Sequence, residues 1–406
     1  MYKRNKRNYE HIFSLILIMI TIMLAVQVYF STDAHAEEAD TIEEKIVEQQ
    51  SNSSRIRSIE SQLQKYSEQD ANKIFEGYDP ESILNDMAKG KFEFNIKSLV
   101  EQALLYLFNE IHQNIHVLIK LVILVVLCAL LKNLQASFLS EGVGELAFFV
   151  CYIVLVSIML VSFSSALNMG KNIIDSMVNF MYATVPILIT LLVSGGSITS
   201  GSVFQPVLIM IVEFVATVIK NVFIPLIFLS TILSIVNNIS NKIQISKLAG
   251  FIKQITGWAL GLILTVFIGV VSIQGTLGAV VDGVASKTAK FAIGAFIPVV
   301  GKCLSDAADT VLACTLLVRN AGGVAVMIGI IVICTVPLLK ILALIILYRI
   351  TGVLIEPIAE KRLTDCVNDI ADSLTYILGI VASVAFMFLI SVTAIVCAGN
   401  LSAMVR

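Results

Sequence analysis

Charge is scarce in this chain, and nearly half of it gathers in the first hundred residues. Asp, Glu, Lys and Arg make up 14% of 406 residues, against about a quarter in an ordinary globular protein. Residues 37–100 hold fourteen acids and eight bases, a net of −6. The stretch beyond them is mostly Leu, Ile, Val, Ala and Gly. With 57% hydrophobic residues, the composition excludes a soluble domain and leaves a charged segment joined to a membrane domain. An overall net charge of −2, with no basic arm, excludes nucleic acid as a partner.

Cysteine is absent before Cys128, so the charged segment is no disulfide scaffold. The seven cysteines form no CxxC and read as small apolar residues of the membrane domain. Catalytic signatures are missing as well. There is no HExxH, no GxSG-like serine site and no GxGD beside Asp306 and Asp309. Gly195-Gly196-Ser197 lacks the GK[ST] of a phosphate cradle. His112 and His116 share a helical face, but two ligands without a third make no metal site. The expectation is a protein that is not an enzyme, with no cofactor and no metal.

The N-terminus carries Lys3, Arg4, Lys6 and Arg7, then an apolar run over 12–28, then Ala34-His35-Ala36. That order is a secretory signal with Ala34 and Ala36 at the cleavage site, the alternative being an uncleaved anchor. Residues 1–36 are therefore read as a cleavable signal peptide and 37–91 as an extracytoplasmic charged segment. Residues 92–114 are read as an amphipathic interfacial helix and 115–406 as a multi-pass membrane domain.

Within that domain, apolar runs at 115–131, 146–166, 177–193, 203–236, 257–280, 322–347 and 374–398 can each cross a bilayer core of about 30 Å. The run 203–236 is too long for one straight crossing and holds Glu213, Lys220 and Pro225. It reads as a kinked helix or a hairpin. Loop charge favours the hairpin, because Lys242, Lys247 and Lys253 follow it with no acid between Glu213 and Asp282, and positive loops stay cytoplasmic. The expected fold is all-α, a polytopic membrane protein of about seven to eight transmembrane helices with an irregular region over 282–320. The spacing of Pro186 and Pro225 equals that of Pro298 and Pro337, which suggests an internal repeat over 178–275 and 290–393 with helix breaks at all four.

Charges in this setting are the functional candidates, since each costs roughly 2.5–3.5 kcal/mol at mid-bilayer unless water or protein shelters it. Lys302, Asp306 and Asp309 share a helical face, and Arg319 follows. They suit a re-entrant segment beside a polar pathway, an inter-subunit contact, or the wet side of a surface helix. Glu213 and Lys220 suit a pair across the hairpin or a place on a pathway. Gly257, Gly261, Gly275, Gly278, Gly322 and Gly323 suit close helix packing.

Residues 272–323, SIQGTLGAVVDGVASKTAKFAIGAFIPVVGKCLSDAADTVLACTLLVRNAGG, resemble the most recognisable block of the stage III sporulation protein AE family. The leader, the charged exported segment and the polytopic remainder agree with that family. The resemblance implies a subunit of a secretion-like channel, or feeding conduit, in the mother-cell membrane around the forespore, needed after engulfment. It implies as partners the other subunits of the stage III sporulation A complex, its forespore-side component and a separate ATPase, within an oligomeric assembly. It supplies no catalytic residue. A stand-alone secondary transporter is the alternative.

Overall fold

The computed structural model describes residues 57–58, 61–62, 64–65, 96–138, 141–239, 245–296 and 301–405, with side chains left undescribed over 132–148, 289–314 and 401–405. Among the described residues there is helix and no strand. The long helices are α1 (Ile96–Phe138), α2 (Glu141–Ser194), α3 (Ile198–Val218), α4 (Ile224–Ile239), α5 (Ser246–Phe296), α6 (Gly301–Ile355) and α7 (Lys361–Val405). A five-residue π turn, Ile219–Phe223, joins α3 to α4 in one rod. Among the described residues six rods are long and apolar enough to cross a membrane, the α3–α4 rod counting once. The chain is an all-α, multi-pass membrane protein.

Helix α7 is the centre of the bundle. It packs against α6, α5, α2, α4 and α3, while α1 lies outside on α6 and α2. Its Val367, Ile370, Leu374, Ile377, Val381, Val392 and Ile395 are wholly buried. Bulk apolarity does not hold such helices together in lipid, where tails are as apolar as leucine; close packing and hydrogen bonds must. The close approaches are visible. A Cβ at Gly323 would fall 2.2 Å from Val396 Cγ2, and one at Gly278 would fall 2.7 Å from Ser200 Oγ. Phe163 of α2 stacks on Phe228 of α4 with ring centroids 6.3 Å apart. Tyr152 donates to the Ile235 carbonyl at 3.3 Å.

Several expectations need correction. The runs 146–166 and 177–193 are not two crossings but parts of α2. The polar stretch between them stays helical because Gly170 lets the backbone approach α7, where a Cβ would meet Ile377 at 3.2 Å and Val381 at 3.4 Å. Nor is 203–236 a hairpin. Pro225 offers no N–H to the Asn221 carbonyl, and the rod absorbs the defect by widening one turn. There the Ile224 N–H bonds the Ile219 carbonyl, five residues back. Pro186 and Pro337 break nothing either, lying inside α2 and α6. The Thr190 hydroxyl donates to the Pro186 carbonyl at 2.6 Å, the usual bond of a helical threonine back to the preceding turn.

The amphipathic stretch and the first apolar run are one helix, α1, whose Ala103 and Tyr106 pack on Ile328, Val332 and Val336 of α6. Among the described residues a Cβ at Gly257 or Gly261 would meet nothing within 4 Å, so these two are not packing points there, whereas one at Gly275 would meet Phe204 and one at Gly278 Ser200. From Gly301 onward the irregular region is simply the start of α6. The leader with Ala34 and Ala36, most of the charged segment, and Pro298 lie outside the described residues.

Candidate functional site

The continuity of α2 creates a feature that separate spans would have hidden. Asn168, Asn172, Asp175, Asn179 and Tyr182 recur every three or four residues, so they line one stripe of the helix, which continues past Pro186 to Thr190. All five are outside the core; Asp175 is half-buried and the other four are exposed. At a rise of 1.5 Å per residue the five polar residues span about 21 Å, most of a bilayer core of about 30 Å, and Thr190 lies further along the same line beyond the apolar Pro186. Beside it, Glu213, Thr217, Lys220 and Asn221 form a matching stripe on α3 and the π turn. Together they make a polar seam within helices otherwise apolar enough for lipid.

Two hydrogen-bonded levels tie the seam. Lys220 Nζ donates to both carboxylate oxygens of Asp175, at 2.6 and 2.5 Å. Lys220 and Asp175 side chains are 36% and 47% exposed, so the pair sits on the outer surface of the bundle rather than in it. One level along, Tyr182 Oη donates to Glu213 Oε2 at 2.5 Å. A small groove opens there between the helices, lined by Val178, Met181, Val185, Leu208, Ile209 and Val212. Glu213 and Lys220 therefore do not pair with each other. They stand seven residues apart on one rod, two helical turns, so each meets α2 at its own level.

Lys220 lies within the π turn, at the middle of a 41-residue apolar rod. A charge pair and several amides on the outside of a membrane helix cannot rest against lipid tails at low cost. Chemically, the seam offers two carboxylates against one ammonium, amide donors and acceptors, and no nucleophile or base arrangement. No group of three or more His, Cys, Asp or Glu able to hold a metal exists among the described residues. His112 and His116 are exposed, and His116 Nδ1 lies 2.9 Å from the Gln113 carbonyl.

The other sequence candidates divide. Arg319 is 1% exposed inside the α6–α7 contact, where its Nη2 donates to Asn400 Oδ1 at 2.6 Å. Lys302, Asp306 and Asp309 fall in the first turns of α6, but their side chains lie outside the described residues.

Two polar clusters escaped the sequence reading. Asp282 of α5, 3% exposed, accepts the Thr199 and Ser200 backbone N–H groups at 2.8 Å each and so caps α3 from another helix. Ser197, the residue in the N-cap position, makes no cap bond of its own. At the opposite end, Lys253 is 9% exposed and lies 6.0 Å from the Tyr376 ring centroid, with Asp369 and Asp372 near enough to interact with its charge. Arg349 bonds Asp372, and Asn238 donates to Asp369 at 3.0 Å. That cluster joins α4, α5, α6 and α7. Both read as structural staples.

No solved structure matches the chain. Stage III sporulation protein AE of Bacillus subtilis (strain 168) is 35% identical over 323 residues, 80% of this chain and 81% of that relative. The sequence profile of stage III sporulation protein AE matches residues 78–399. The chain belongs to the stage III sporulation protein AE family and is a multi-pass membrane protein with a role in sporulation.

Proposed function

We propose that the protein is a membrane subunit of a secretion-like channel that links mother cell and forespore, and that its α2–α3 seam forms part of the wall of the passage. The observation that supports this is the length of the seam. A polar stripe that runs through most of a bilayer core on the outside of a bundle suits a wall facing water, not one facing acyl chains. In this reading the energy comes from a separate ATPase, other complex subunits close the passage, and residues 37–91 meet partners on the extracytoplasmic side. Lys302, Asp306 and Asp309 would extend the polar path at the start of α6. The paired charges of the seam also fit a self-sufficient secondary transporter, and uptake driven by an ion gradient in liposomes holding this chain alone would favour that reading.

Orientation follows from loop charge under the same proposal. With the N-terminal segment outside and six crossings, the α4–α5 and α6–α7 connections are both cytoplasmic. They bring Lys242, Lys247, Lys361 and Arg362 to the positive side.

The test is to make the seam lipid-like. Asn172, Asn179 and Thr217 are replaced together by leucine, which leaves both hydrogen-bonded levels in place. If the seam faces lipid, leucine is the better residue there and sporulation proceeds normally. The expected result is a protein that accumulates in membranes while spore formation stops after engulfment. Normal spore yield would contradict the proposal.

A further inference from the structure

The order of donors and acceptors along the seam carries information about what lies opposite it. At one level the acid, Asp175, is on α2 and the donor, Lys220, is on the π turn. At the next, the donor, Tyr182, is on α2 and the acceptor, Glu213, is on α3. At each level, then, one rod holds the acceptor and its neighbour the donor. A two-fold rotation about an axis parallel to the helices, in front of the seam, exchanges the two rods. It sets Asp175 against a second Lys220, and Tyr182 against a second Glu213, at both levels at once.

We infer that the surface opposite the seam is the same seam of a second copy of this chain, related by a two-fold axis along the membrane normal. The inference deepens the preceding proposal and rests on its placing the seam away from lipid. A face that meets itself must be self-complementary, and this one is. At the first level charge is balanced, with Lys220 offsetting Asp175, so that level calls for no partner of net opposite charge; Glu213 leaves one negative charge per copy at the second, where it meets tyrosine hydroxyls rather than a cation. The asparagines add to this, because an amide both donates and accepts and can pair with its own image. Asn179 and Thr217 fall between the two levels and stand nearest the axis. Polar contacts of this kind hold helices together in membranes, where apolar contact alone gives little preference for one neighbour.

The experiment exchanges charges between copies. Asp175→Lys and Lys220→Asp are each expressed alone, then together in one cell under different tags, with Asn179→Cys in every copy for oxidative cross-linking. Native cysteines are replaced first. In the parent, Asn179→Cys should give a covalent dimer, whereas Leu262→Cys on the outer face of α5 should not. Each charge variant alone places like charges across the axis, and the dimer should be lost. Co-expression sets a copy with lysine at both positions against a copy with aspartate at both, and a mixed-tag dimer should return. No return, with both variants present in the membrane, would overturn the inference, since a pair made only within one chain cannot be rescued in trans.

A water-soluble thiol reagent applied to Asn179→Cys separates the two proposals. Labelling without any cross-link contradicts the second copy but leaves the water-facing wall. Cross-linking without labelling supports the second copy and contradicts the passage. Absence of both places another protein, or lipid, against the seam and overturns both.

Discussion

Replacing Lys253 with methionine should be among the most damaging single changes in the membrane domain. The side chain is 9% exposed, between a tyrosine ring and the carboxylates Asp369 and Asp372, at a point where four helices converge. Methionine fills a similar volume, so packing is nearly kept and charge is what changes. Arg349 remains to answer Asp372, but Asp369 keeps only a neutral donor, the Asn238 amide, in place of a cation. Stranding one partner of a directly bonded buried ion pair typically costs about 3–5 kcal/mol, and Lys253 acts on Asp369 through its nearby charge, so the expected cost lies at or below the lower end of that range. The expected readout is a large drop in the thermal midpoint of the purified protein in detergent, with reduced accumulation in membranes. The double change Lys253→Met with Asp369→Asn should recover much of the loss, because it removes the uncompensated charge. If the two losses simply add, the cluster is not the charge-balanced staple described here.

Removing the Asp282 carboxylate should have a comparable effect through a different route. Its two oxygens hold the Thr199 and Ser200 N–H groups, both donors that the first turn of α3 cannot satisfy internally. Hydrogen bonds to charged groups contribute roughly 1.5–3 kcal/mol each, so Asp282→Ala should cost about 3 kcal/mol or more. Asp282→Asn keeps one acceptor and should cost less. Ser197 offers an internal check. Its hydroxyl is fully buried and makes no hydrogen bond, since Asp282 has taken the donor an N-cap serine would normally hold. Once Asp282 is gone, that hydroxyl can turn to the vacated N–H. Ser197→Ala should thus be nearly silent alone and clearly harmful on top of Asp282→Ala, a non-additivity that thermal unfolding of the four proteins would measure.

Class and family are plain in the sequence, whereas the site is legible only in part. Composition and the length of apolar runs determine a helical membrane protein, because only hydrogen-bonded helices satisfy a backbone in lipid at these lengths. The helix count is harder to read, for reasons found in two segments. Asn168, Lys171, Asn172 and Asp175 interrupt an apolar run as a loop would. What keeps them helical is long-range, the approach of Gly170 to Ile377 and Val381 on α7. Lys220, Asn221 and Pro225 look like a turn between crossings, yet the rod takes them in as a π turn. Each fusion removes one crossing, so the two cancel in parity. Under the proposed orientation the loop between α4 and α5 therefore keeps the side that its lysines favour.

The candidate charges are visible one at a time, and their partners are not. Glu213 and Lys220 stand out as ions in apolar sequence, but Tyr182 and Asp175 belong to another helix, and nothing local announces a level shared across 31 or 45 residues. The helical spacing of Asn168, Asn172, Asp175, Asn179 and Tyr182 is a usable signal. It becomes legible only if the segment is taken as continuous helix. Asp282 carries no such signal, because a cap supplied by a distant helix leaves no motif beside the residues it caps.

The direct measurement is a cysteine scan of α2 from 168 to 182 in intact membranes, with native cysteines replaced and a membrane-impermeant thiol reagent as the probe. Labelling rates should rise and fall with helical period, peaking at 168, 172, 175, 179 and 182. Cysteines at 258 and 262, on the exposed apolar face of α5, should stay slow. Seam positions that react no faster than 258 and 262 would show the stripe covered by lipid or protein, and would contradict the claim that it faces water.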